Sequence, residues 1–253
     1  MGKSGGPAER RTRVSSCAGT AGKWGLRRKG GRLRKNGKRE AERVVKGVIF
    51  DLDGVLVSTD ALHCQAWVET SRRWGIPFTP KDNDLLRGVS RMESVEIICR
   101  VGNHPLSDEE KVRFAEEKNR RYVELLESLT PADILPEVPE TLEELRLRGI
   151  AMAVGSSSRN TQNILRRIGL SDTFDAVADG SMIVRSKPDP EVFLLAASLL
   201  GLEPAECLVV EDAQSGILAA KAGGFAAAAV GPARDCPQAD VKLCRLSELL
   251  RIV

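Results

Sequence analysis

Two acids one residue apart, Asp51 and Asp53, close the apolar run in VVKGVIFDLDGVLVSTD (44–60). On an extended strand, positions two apart point the same way, so the pair would set two like charges side by side. Repulsion of that kind serves no fold and points to a cation or a reacting group. A second acidic pair, Glu211 and Asp212, closes CLVVED (207–212). Asp51, Glu211 and Asp212 together would make a hard, oxygen-rich corner. Mg²⁺ takes about six oxygens and keeps several of its waters, so two or three carboxylates suffice for it. GSSSRN (155–160) gathers Ser156 and Ser158 ahead of a helical pattern. N–H groups, hydroxyls and a helix N-terminus there would favour a phosphate. Lys187, in SKPDP, would offset the further negative charge that a phosphate brings.

Taken singly, these fragments read as a solvated turn, a flexible loop, a helix start and a pair of surface acids. What joins them is their place in the order of elements. VVKGVIF (44–50), IAMAVGS (150–156), DAVADG (175–180), CLVVED and FAAAAVG (225–231) are short apolar runs without strict alternation, the pattern of strands covered on both faces. Helical patterns lie between them: ETLEELRLRG, NTQNILRRIGL, PEVFLLAASLLG and AQSGILAAKAGG, each ending near a glycine suited to a C-terminal cap. Alternation of this kind predicts an α/β fold, a parallel sheet with helices on both faces, whose ligands bind beyond the carboxyl ends of the strands. All four fragments fall on that side.

One stretch breaks the alternation. Between residues 60 and 129 no strand is expected, and ALHCQAWVETSRRWG, SRMESVEIICRVG and SDEEKVRFAEEKNRRYVELLESL all read as helices. SDEE supplies an N-cap and early acids. The expected organisation is a helical insert at 60–130 between two parts of one core, 44–59 and 131–253.

Composition narrows the class. Residues 1–46 hold 15 of the 38 Lys and Arg but only 3 of the 35 acids, so a basic tail precedes an acidic globule. Residues 1–43 lack apolar periodicity and are expected to be disordered. Their basic residues could meet nucleic acid, but an inert extension is the simpler reading. No apolar run is long enough to span a membrane, and no secretory h-region is present. The six cysteines fit neither a C-x-x-C pair nor a zinc spacing, which implies free thiols in a reducing cytoplasm. No long apolar patch demands a partner, and a monomer is expected.

The ordered set FDLDGVL, GSSS, SKPDP and VVEDAQSGI resembles the haloacid dehalogenase superfamily of aspartate-nucleophile phosphotransferases, from about Lys46 to Leu250. Further runs resemble its β-phosphoglucomutase family: HCQAW (63–67), RGVSRMES (87–94), EKNRRYV (117–123), TPADILP (130–136) and GSSSRN. Three positions depart from that pattern, Arg87, Ser58 and Glu137. The resemblance implies a Rossmann-like core with an α-helical cap domain, a Mg²⁺ cofactor and a sugar-phosphate substrate. It implies Asp51 as nucleophile, Asp53 as general acid and base, and Lys187 as charge partner, with Asp51, Asp53, Glu211 and Asp212 on the metal side. On the substrate side it places Thr59, His63, Arg87, Gly88, Arg91, Lys118, Asn119, Ser156, Ser158, Arg159 and Asn160. Trp67 matches the same family run, but with Trp74 it reads as packing. The implied reaction converts β-D-glucose 1-phosphate to D-glucose 6-phosphate through an aspartyl-phosphate and β-D-glucose 1,6-bisphosphate. A capped sugar-phosphate phosphatase would use the same acids. A non-catalytic protein directed to nucleic acid by its tail is the remaining alternative.

Overall fold

The computed structural model describes residues 44–86 and 89–253. The basic segment 1–43 lies outside the described residues, and so do Arg87 and Gly88. The strands are β1 (Gly47–Phe50), β2 (Ala151–Gly155), β3 (Ala176–Ala178), β4 (Cys207–Glu211), β5 (Ala226–Ala229) and β6 (Val241–Lys242). The α-helices are α1 (Asp60–Arg73), α2 (Arg91–Val101), α3 (Asp108–Leu125), α4 (Val138–Leu147), α5 (Thr161–Arg167), α6 (Glu191–Leu200) and α7 (Gln214–Ala222). The strands form one parallel sheet in the order β3-β2-β1-β4-β5-β6. β1 lies between β2 and β4, where the strand order reverses, which is where ligands of open α/β sheets bind.

Period-two alternation explains why these apolar runs pair as they do. Val48 and Phe50 of β1 face one side with Met152, Val154, Leu208 and Val210, covered by Leu142 and Leu145 of α4 and Ile164 and Leu165 of α5. Ile49, Ala153, Val209 and Ala227 face the other side, under Val192 and Phe193 of α6 and Ile217 of α7. The sheet is therefore an α/β Rossmann-like layer with helices on both faces, as its continuous apolar strands require. Each fully buried Val, Leu, Ile or Phe contributes ~1.5–3 kcal/mol to holding these layers together.

The segment from α1 to α3 holds no strand among the described residues. Its helices start where the sequence supplies caps. The Ser90 hydroxyl accepts from Glu93 N ahead of α2, and Ser107 and Glu110 form a capping box ahead of α3. Trp67, Ile76, Phe78, Val95, Ile98 and Phe114 build a separate apolar cluster there, with Trp67 and Trp74 packed on Phe114. The chain enters and leaves this insert side by side. Val57 bridges Ile134 antiparallel, and Leu135 N donates to Leu56 O at 3.0 Å. No helix among the described residues is long and apolar enough to cross a membrane.

Candidate active site

Asp51 follows β1 directly, and its backbone N donates to Val210 O at 2.9 Å, so the ends of β1 and β4 are tied together. This brings Glu211 and Asp212, at the end of β4, beside Asp51. Lys187 reaches in from the loop before α6 and donates to Asp51 Oδ1 at 2.5 Å and to Glu211 Oε1 at 2.6 Å. Its side chain is 8% exposed and that of Glu211 is 1% exposed, so the charges face one another with little solvent between them. Burial alone would lower the Lys187 ammonium; Asp51 and Glu211 outweigh it and raise it. Glu211 is raised by its burial, against the pull of Lys187.

Asp51, Glu211 and Asp212 can each turn an oxygen to within 4.8 Å of the others. Burial, then the neighbouring Asp51 and Glu211, pushes the Asp212 carboxyl up to about 8. Three carboxylates crowded at this distance are a donor set that fits a hard divalent cation. Two glycines make room for it. A Cβ on Gly216, in the first turn of α7, would lie 1.8 Å from Glu211 Oε1, and one on Gly54, at φ +80°, would lie 2.1 Å from Asp212 Oδ2. Sequence reasoning missed both positions, although DLDG and EDAQSG carried the signal.

Asp53 is held by the residue at which the helical insert begins. β1 ends at Phe50, and Asp53 sits in the turn that follows, beside Gly54 with its positive φ. Period-two logic stops with the strand, so strand geometry does not itself set the relation between the two acids. The Asp53 carboxylate accepts from Thr59 N at 2.7 Å and from Thr59 Oγ1 at 2.5 Å. Its carboxylate is not one of the three that converge within 4.8 Å, but it lies near enough for its charge to act on Asp212 and for that of Asp51 to act on it. Burial, opposed by the Thr59 hydrogen bonds and aided by Asp51 and Asp60, pushes its carboxyl up to about 6.

From Asp53 a polar chain runs into the helical insert. Thr59 Oγ1 is 2.8 Å from the Tyr122 hydroxyl, and the Tyr122 ring stacks on His63 at 3.9 Å between centroids. His63 Nε2 lies 3.9 Å from Asp53 Oδ2, and His63 Nδ1 lies 2.6 Å from Lys118 Nζ. Lys118 is buried, with its ammonium over the rings of Trp67 and Tyr122 at 4.6 and 4.7 Å. Burial, then Arg91, brings Lys118 down to about 7. Burial, then Lys118 and Arg91, holds His63 well below its ordinary range. Trp67 is packed as expected, and it also forms one wall for the Lys118 charge.

On the opposite side, the 155–160 loop is ordered by its own groups. Ser156 Oγ accepts from Ser158 N, and Ser158 Oγ accepts from Asn160 N, both at 3.2 Å. The helix that follows, α5, has only seven residues. Asn160 Nδ2 donates to Asn119 Oδ1 of α3 at 3.0 Å, and Arg91 of α2 donates to the same oxygen at 2.9 Å. Burial, then the nearby Arg159, lowers the Arg91 guanidinium. One cleft thus carries Asp51, Lys187, Glu211 and Asp212 on the sheet, Asp53 and Thr59 at the junction, and Arg91, Lys118 and Asn119 on the insert.

Residues 45–224 match the haloacid dehalogenase-like hydrolase family. The chain is 40% identical to the β-phosphoglucomutase of Bacillus subtilis over 207 residues, covering 81% of this chain and 92% of that protein. It is 34% identical to a phosphorylated carbohydrates phosphatase of Thermotoga maritima, over 72% of this chain and 82% of that protein. The crystal structure of β-phosphoglucomutase from Clostridium difficile superposes with a TM-score of 0.75 at 38% identity, covering 81% of this chain and 93% of that one. The matched span contains the four acids and Lys187, and on that ground the chain belongs to the haloacid dehalogenase-like hydrolase family.

Proposed function

We propose that the protein is a Mg²⁺-dependent β-phosphoglucomutase, converting β-D-glucose 1-phosphate to D-glucose 6-phosphate through phospho-Asp51 and β-D-glucose 1,6-bisphosphate. The observation that carries this reading is the pair of cationic positions in one cleft. Lys187 stands at Asp51, and Arg91 stands at Asn119, whose amide oxygen it shares with Asn160, with Arg159 nearby. A phosphatase acting on a monophosphate needs one such position. A mutase, whose intermediate carries two phosphates, needs both.

Asp51, Glu211 and Asp212 would hold the Mg²⁺, which when bound supplies positive charge to the oxygens of the transferring group. Lys187 holds Asp51 Oδ1, leaving Oδ2 as the oxygen that attacks phosphorus. The new Asp51–phosphorus bond forms as the sugar oxygen–phosphorus bond breaks. Asp53, whose burial raises its carboxyl toward protonation, gives its proton to the departing sugar oxygen. In the reverse direction the same carboxylate takes the proton of the next hydroxyl. Thr59 fixes its direction through two hydrogen bonds. Ser156 and Asn160 steady the phosphoryl oxygens, and Arg91 and Arg159 take the second phosphate. The helical insert acts as a cap that keeps water from phospho-Asp51, with His63, Lys118 and Asn119 on its substrate side. We take the enzyme to act in the cytoplasm as a monomer.

The 34% identity to a carbohydrate phosphatase sustains a second reading, in which water accepts the phosphoryl group. One assay separates the two. The protein is incubated with Mg²⁺, β-glucose 1-phosphate and a trace of glucose 1,6-bisphosphate, and both products are followed. Rapid glucose 6-phosphate with little free phosphate is the expected result. Free phosphate as the main product would replace the mutase reading with the phosphatase one.

A further inference from the structure

The Lys187 ammonium has an aromatic neighbour besides its two acids. Its Nζ lies over the ring of Phe193, 4.5 Å from the centroid. Phe193 is fully buried in the first turn of α6. An ammonium has three N–H donors, and Asp51 Oδ1 and Glu211 Oε1 each accept from this one. The ring face covers a further side of a charge that is almost wholly out of solvent.

Packing, not the ammonium, sets the place of that ring. A Cβ on Gly155, at the end of β2, would lie 2.8 Å from Phe193 Cδ1 and 3.1 Å from Cε1, so only a glycine there lets the ring in. Phe225 braces it from α6's sheet side in an edge contact, centroids 6.3 Å apart and planes at 67°.

We propose that Phe193 is a positioning residue for phosphoryl transfer: its ring face holds the Lys187 ammonium beside Asp51 while the charge on Asp51 is being lost. The inference rests on the reading of Lys187 as the charge partner of Asp51. Before transfer, the Asp51 carboxylate itself attracts the ammonium. As Asp51 Oδ2 bonds to phosphorus and the sugar oxygen–phosphorus bond breaks, that carboxylate charge goes, and the hold of Asp51 on Lys187 weakens. The quadrupole of the ring is the same before and after transfer. Its hold therefore counts for most in the transition state, where an interaction changes rate.

Fluorine tests this with little change of shape, because each fluorine drains electron density from the ring face. Mono-, di- and trifluorinated phenylalanine are placed at position 193 alone, in the full-length protein with Mg²⁺. The readout is kcat/KM for release of p-nitrophenol from p-nitrophenyl phosphate. That constant covers the steps up to transfer onto Asp51 and is blind to whether water or a sugar later takes the phosphoryl group. It is expected to fall in step with the number of fluorines, by about 2- to 30-fold for the trifluorinated ring, the range a buried cation–π contact spans. The same series at Phe225, which packs on Phe193, is the control and is expected to leave kcat/KM unchanged. If the trifluorinated protein does not fold, the slope through the mono- and difluorinated proteins is read in its place. A flat series at Phe193, or equal falls at Phe193 and Phe225, would make the ring a packing residue and overturn the proposal. A protein that forms no glucose 6-phosphate but shows the graded fall at Phe193 alone would lose the mutase reading and keep this one.

Discussion

Thr59 holds Asp53 from two sides: its amide N–H donates to Oδ1 at 2.7 Å and its hydroxyl to Oδ2 at 2.5 Å. Thr59 is also the residue before α1, so the carboxylate's direction is set by the point at which the helical insert begins. Thr59→Val keeps the shape and removes the hydroxyl. It also leaves the buried Tyr122 hydroxyl without this partner, a cost of about 1–3 kcal/mol that thermal unfolding would register. General acid–base help is worth ~10²–10⁴-fold in rate, and a mispositioned acid should forfeit roughly the first tenfold of it. The expected signature is selective. Turnover of a sugar phosphate falls, while p-nitrophenyl phosphate, whose leaving group departs without a proton, is turned over nearly as before. Equal losses on both substrates would remove Asp53 from the acid role.

Asp51→Asn removes the nucleophile and keeps the volume. Turnover should drop by at least about 10³-fold, the scale of losing the attacking group in covalent catalysis. Acid-quenched protein from a reaction with radiolabelled glucose 1,6-bisphosphate should carry label in the wild type and none in the variant. Label retained by the variant would mean that another group is phosphorylated. Lys187 keeps its bond to Glu211 in this variant, so the fold at the site is expected to survive.

Gly216 faces Glu211 so closely that no side chain fits: an added Cβ would be 1.8 Å from Oε1. Gly216→Ala must either push the Glu211 carboxylate aside or shift the start of α7. Overpacking of this kind costs about 1–3 kcal/mol, visible as a lowered Tm. The larger effect is expected in the Mg²⁺ concentration needed for half-maximal activity, which should rise, because one of three converging acids is displaced. A variant with normal Mg²⁺ dependence would show that Glu211 can leave the group without consequence.

The sheet was legible because its strands are short apolar runs that both faces cover, and the acids were legible because each follows such a run. β6 was not. Val241–Lys242 is a two-residue pairing beside β5 whose neighbours alternate apolar and charged residues without forming a run. It exists because Ala228 and Ala229 offer an edge, a tertiary cause that local pattern does not report. The clasp of Asp53 by Thr59 was also hidden, since it depends on where β1 stops and on the turn through Gly54. The link from Lys118 through His63 to Asp53 joins residues up to 65 positions apart, across the α1–α3 packing. The family resemblance supplied the names of these residues, and only the fold supplied their contacts.

Lys118 lends itself to a test of sign. Its ammonium is buried between Trp67 and Tyr122, against His63 and near Arg91 and Asp53, and its pKa falls from the model-peptide value of 10.5 to about 7. Below pH 7 the lysine is protonated in both the folded and the unfolded chain, and the fold bears the full cost of the buried charge. Between about pH 7 and 10.5 the unfolded chain holds a proton that the folded chain has released, so stability rises with pH across this window. Lys118→Met removes the titration and keeps most of the packing. Above pH 7 His63 is neutral in both proteins, so the difference in unfolding free energy between them isolates Lys118. That difference should move steadily in favour of the wild type from pH 7 to 9.5. A difference that stays flat over the same range would mean that the ammonium keeps its charge in the fold, stabilised by the two aromatic faces.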